Sequence, residues 1–171
     1  AFENNGSPRP AVVSSPRVFR VISASELSAQ VRSRLGQMRE AAGRLREEQA
    51  GITDAMKDVA ERTKTNGEAA TEAERAQIAG SEGRMADRIA AFERSLAELS
   101  SKLERNKTDG EGLSETIQEA SELARTASQR SQEGATALPD AALVDKAAER
   151  ASESESALAD LETALQRDRE T

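Results

Sequence analysis

The chain has 171 residues, carries a net charge of −7 and contains neither cysteine nor histidine. Disulfide frameworks, thiol nucleophiles, Ser-His-Asp arrangements and His-Glu-x-x-His zinc helices are therefore excluded. Leu, Ile, Val and Phe make up about a sixth of the sequence, and Trp and Tyr are absent, which leaves an acidic coil or thin helices packed through small residues.

Residues 1–22 read as a linker followed by an orphan β-prone segment. Pro8, Pro10, Pro16 and Gly6 lie among serines and asparagines, a composition that favours extended chain. The run Arg17-Val18-Phe19-Arg20-Val21-Ile22 favours a strand, but a single strand of this length needs a partner. It is expected to pair with an upstream domain or to dock on the helices. The start at Ala1 has no initiator Met, basic n-region or apolar h-region, so the chain reads as a processed or excised piece of a larger protein.

A helix is expected from Ser23. Ser23 and Glu26 have capping-box spacing, and Ile22 and Leu27 have that of a hydrophobic staple. Val31, Leu35, Met38, Ala42, Leu45, Gln49, Ile52, Met56, Val59 and Thr63 then alternate spacings of four and three. A solvated coil has no reason to keep such a phase, whereas a helix laid against other helices does. Gly36, Gly43 and Gly51 fall off this seam, and Lys64-Thr65-Asn66-Gly67 is the natural stop.

Thr65 with Glu68, or Thr71 with Glu74, offers the next capping box. The second helix carries Met85, Ile89, Phe92, Leu96, Leu99 and Leu103, with Ile78 and Glu82 in phase before them, and runs to about Lys107. Two matched helices with a short connection predict a long antiparallel, coiled-coil-like hairpin over residues 23–108. Residues 109–171 predict a second, shorter Ala/Ser-rich hairpin with net charge −8 from residue 111 onward. Thr108 and Glu111 could cap its first helix, whose seam is Leu113, Ile117, Ala120, Ala124, Ala127 and Ser131. Asp140 is placed to cap the last helix, with Val144, Ala147, Ala151, Ser154, Leu158, Leu161 and Leu165 in phase. The predicted class is all-α: an elongated bundle with a short extended N-terminal segment.

Few constellations point to chemistry. Glu115, Glu119 and Glu122, and separately Glu149, Glu153 and Glu155, form acidic faces, which ordinarily mean a solvated surface. Asp109-Gly110-Glu111-Gly112 begins like a calcium loop, but the remaining ligand positions do not follow. Arg32, Arg34, Arg39, Arg44 and Arg46 are interleaved with Glu40, Glu47 and Glu48, which suits ion pairing along a helix better than a phosphate-binding face. Asn5-Gly6-Ser7 and Asn106-Lys107-Thr108 match the glycosylation sequon, a match frequent by chance. The expectation is no catalytic, cofactor or metal residues, no nucleic-acid partner, and no membrane span in this segment, a parent protein anchored elsewhere being compatible with it.

The expected interaction seam comprises Val31, Leu35, Met38, Leu45, Ile52, Met56, Val59, Met85, Ile89, Phe92, Leu96, Leu99, Leu103, Leu158, Leu161 and Leu165. Its expected partners are proteins, through self-association or through other helices. The functional expectation is a non-catalytic structural or interaction segment, a coiled-coil spacer or oligomerisation element; the alternative is a signalling or adaptor rod relaying conformational change between partner domains. Residues 111–171 are similar in composition to the cytoplasmic rods of bacterial chemoreceptors. That likeness implies the relay role and carries over no functional residue.

Overall fold

The computed structural model describes residues 22–66, 70–107 and 112–167. Four α-helices account for nearly all of them: α1 (Ala24–Asn66), α2 (Glu72–Arg105), α3 (Leu113–Ala137) and α4 (Val144–Arg167), with a 3-10 turn at Ala141–Leu143 leading into α4. The chain is an all-α bundle, and no strand occurs among the described residues. Residues 17–21 of the β-prone run, Gly67, Glu68 and the expected Thr108–Glu111 cap lie outside the described residues.

The helix starts follow local chemistry. The Ser23 Oγ accepts the Glu26 backbone N–H at 3.1 Å, while Ile22 packs against the core cluster that contains Leu27. Thr71, not Thr65, caps α2: its hydroxyl accepts the Glu74 N–H at 3.1 Å. Thr65 lies inside α1 and donates to the Glu61 carbonyl at 2.7 Å. Gly112 enters α3 at φ +80, a left-handed conformation that glycine adopts without a Cβ penalty. Asp140 Oδ1 accepts the Ala142 N–H at 2.9 Å, so the expected cap serves the 3-10 turn that precedes α4.

Pairings between helices set the topology. Arg46 meets Glu162 and Lys64 meets Asp145, so α4 runs antiparallel to α1. Arg125 meets Glu93, and the Ser128 hydroxyl donates to the Ala86 carbonyl, so α3 runs antiparallel to α2. Arg167 meets Glu119 while Arg150 meets Glu133, which makes α4 antiparallel to α3. The result is an up-down-up-down bundle in which Ala24 and Arg167 both point to the same end of the rod. The 43 residues of α1 span about 64 Å.

Side-chain size decides how closely neighbours approach. The inward positions of α3 are mostly small, Ala120, Ala124, Ala127, Ser131 and Gly134, so α3 lies close to both α2 and α4, and α4 lies close to α1. The α1–α2 side carries Met38, Leu45, Phe92 and Leu96, and of the neighbouring pairs these two helices approach each other least. The first two helices are thus antiparallel neighbours, but α1 lies along α4 more intimately than along α2. Gly134 permits the closest approach: a Cβ there would sit 3.3 Å from the Ala147 carbonyl oxygen and 3.6 Å from Glu82 Oε1.

The apolar interior falls into two clusters. The larger joins Leu27–Leu45 of α1 to Met85–Leu103 of α2, Leu113–Ala127 of α3 and Ala157–Leu165 of α4. The smaller, richer in alanine, joins Met56, Val59 and Ala60 to Ala70, Ala137, Leu138, Val144, Ala147, Ala148 and Ala151.

Truncating Ile89 or Leu158, both fully buried, should cost about 2–5 kcal/mol each in urea denaturation, and half-buried Leu99 distinctly less. Gly36→Ala and Gly51→Ala, where a Cβ meets nothing within 4 Å, should each add about 0.5–1 kcal/mol. Gly134→Ala should lose that gain, because the group in its way is a backbone carbonyl.

Candidate functional site: a buried polar layer

Between the two apolar clusters lies a layer of polar side chains drawn from all four helices. Gln49 and Thr53 come from α1, Glu82 from α2, Ser131 from α3 and Ser154 from α4; each is 0% exposed. Gln49 Nε2 donates across the bundle to Glu82 Oε1 and Oε2, both at 3.0 Å. The Ser131 hydroxyl donates to Gln49 Oε1 at 3.3 Å and lies 2.9 Å from the Ser154 hydroxyl. Thr53 Oγ1 is buried and has no hydrogen-bond partner among the described residues.

Glu82 carries the electrostatic weight of this layer. No cation pairs with it among the described residues. A buried carboxylate without a counter-charge is expensive, and desolvation pushes its pKa above the usual glutamate range, against the hydrogen bonds from Gln49 and Ser131 that pull it down. A ring of charge stands just outside: Arg130 and Arg150 both pair with Glu133 and Glu153. The Gln129 amide and the Arg130 guanidinium hold the Glu133 carboxyl below its usual value.

The structure brings the expected seam together inside one chain. All of its residues are buried except Ile52 and Leu99, which are half-buried and pack against the clusters. Gln49, Glu82, Ser131 and Ser154 are in phase with their apolar neighbours. Their convergence at one level was the feature that sequence reasoning missed. Polar residues interrupting a seam were the available signal.

Other features are shallow. A groove of about 620 Å³ runs along the α1–α2 side, floored by Met38, Leu45 and Phe92 and rimmed by Arg34, Arg44 and Arg88. A depression of about 810 Å³ follows the outer face of α3, with Ala86 and Ala137 at its base and Leu143 at one edge; Leu143, 39% exposed, is the one large exposed apolar residue among those described. Among the described residues no cluster of acidic side chains could hold a metal ion, and none of these helices is long and apolar enough to cross a membrane. Comparison with protein families, curated proteins and solved structures returns no match to this chain.

Replacing Gln49 by Leu should cost about 1–3 kcal/mol, because Glu82 loses its amide donor while remaining buried. In a Glu82→Leu background the same change should cost little or even stabilise, a coupling that a double-mutant cycle in urea reads directly. The sign of the pH effect follows from the raised pKa. Folding takes up a proton at Glu82, so its contribution is greatest below the ordinary glutamate value and declines as pH rises through the buried one. Exposed Glu48 and half-buried Glu133, whose values are lowered, act in the opposite sense. The stability gained by Glu82→Gln should therefore grow from pH 4.5 to pH 8 in paired thermal melts.

Proposed function

We propose that the chain is a non-catalytic structural and interaction segment of a larger protein, a helical arm whose partners are proteins. The observation that carries this reading is where the apolar side chains go. Among the described residues nearly all of the large ones face one another inside the bundle, and the outer surface is left to charges, many paired between helices, such as Glu48–Arg88, Arg46–Glu162 and Lys64–Asp145. Pairs this exposed contribute little to stability; they keep the exterior soluble and leave shape and length as its main properties.

The up-down-up-down course narrows the kind of spacer intended. Because α4 runs back toward the end at which α1 begins, flanking segments would leave in the same direction, although Arg167, five residues beyond the Arg46–Glu162 pair, stops well short of Ala24. An arm of this kind holds a docking surface away from a body; it does not separate two bodies in line. With the seam occupied internally, self-association would use the outer faces or the α1–α2 groove and would not pair seam with seam.

A second reading, a rod relaying conformational change, is favoured by one observation: the core is interrupted by a polar layer at which two packings could differ little in energy. Small-angle scattering on the purified chain should give a maximum dimension near the roughly 64 Å length of α1, and light scattering should report one chain per particle at micromolar concentration. A near-spherical particle would remove the arm. A stable dimer that dissociates when Val31 and Leu35 are changed to polar residues would place the seam between chains and overturn the arrangement proposed.

A further inference from the structure

We propose that the layer around Glu82 is a proton-operated latch on the α1–α2 side of the bundle: with the carboxyl protonated the helices close over it, and its ionisation is linked to opening of α1 from α2 at that level. The latch is a property of the bundle and stands whether or not the role proposed above is correct.

Three independent features meet at this level. The first is the donor count. Among the described residues the Glu82 oxygens are held by Gln49 Nε2 and by a Ser131 hydroxyl that is shared with Gln49 Oε1 and Ser154, short of the two or three committed donors that would favour the charged form. The second is access. The α1–α2 side is where neighbouring helices approach least, and the groove along it includes Leu45, one turn from Gln49, and Arg88, nearly two turns from Glu82. The third is local helix strength. Gly51 follows Gln49 by two residues, Gly80 and Gly83 flank Glu82, and Gly134 lies one turn from Ser131. Each glycine costs a helix interior about 1 kcal/mol against alanine, so α2 is weakest where it carries the carboxyl, and α1 is weakened beside Gln49 as it is at Gly36 and Gly43. Thr53 Oγ1, buried without a partner one turn from Gln49, gives entering water a second polar group to satisfy.

The groups around Glu82 favour the neutral form as the closed one. From α1 come Gln49 and Thr53, from α3 Ser131, from α4 Ser154; all are uncharged. The charged neighbours are turned to one another: Arg130 and Arg150 to Glu133 and Glu153 on the α3–α4 side, and Arg88 to Glu48 on the α1–α2 side. Among the described residues no cation stands ready to neutralise the carboxylate inside the closed bundle. Hydration is its remaining route to stabilisation, and the α1–α2 side is the shortest way for water to arrive.

The test is amide hydrogen exchange of the whole chain from pH 5 to pH 8, corrected for intrinsic exchange, in the wild type, Glu82→Gln and Glu82→Met. Opening that releases one proton makes the opening constant rise about tenfold per pH unit between the ordinary and buried carboxyl values. The expected result is that slope in peptides covering 45–56 and 78–86, no such slope in peptides covering 128–136 and 148–156, and its loss in both variants. The wild-type slope is read without any substitution, so a variant that failed to fold would not spare the proposal. A flat wild-type profile, the same slope in either variant, or protection lost equally on the α3–α4 side would overturn it.

Discussion

Narrow apolar stripes constrain everything else in this molecule. Each helix presents a stripe of buried side chains only one or two residues wide, and in α3 half of that stripe is alanine. No pair of such lines excludes much water, because alanine removes little apolar area when buried. Four of them facing inward do, and the cost of thin stripes is then recovered through proximity: small side chains let backbones approach, and close approach adds dispersion contacts. Ala24–Asn66 can therefore stand as a helix of 43 residues with very little aromatic material to support it.

The same economy explains the position of the polar layer. At this level the inward residues of α3 and α4 are Ser131, Gly134 and Ser154, too small to reach across. The gap is filled by two long side chains, Gln49 and Glu82, from the more widely spaced pair α1 and α2. Their mutual hydrogen bonds also fix the longitudinal offset of α1 against α2. A slide of one turn would leave a carboxyl and an amide facing alkyl groups, at the price of two unsatisfied polar side chains. A uniform run of alanine and leucine would tolerate such a slide far better.

Much of this was legible in the residue order. The three-four spacing from Val31 to Thr63 and from Met85 to Leu103 identified the buried face of α1 and α2 almost residue for residue, since helix periodicity and burial are tied by geometry. Ser23 and Thr71 announced helix starts because capping is a local matter. Neighbour preference was not legible. Whether α1 leans on α2 or on α4 depends on the summed bulk of side chains on three other helices, which no window of the sequence contains. The polar layer was hidden for a related reason: Gln49, Glu82, Ser131 and Ser154 each looked like an isolated lapse in a seam. Only the turn lengths, acting through the fold, bring the four lapses to one height.

The shared direction of Ala24 and Arg167 has a mechanical consequence. A load applied between them would not shear the rod along its length. It would peel α4 from α1 a turn at a time, starting with pairs such as Leu165 and Arg46–Glu162, so that only one or two contacts resist at any instant. A bundle loaded in this geometry yields at low force and progressively, and the polar layer, met partway along, would be the point at which the peeling changes pace.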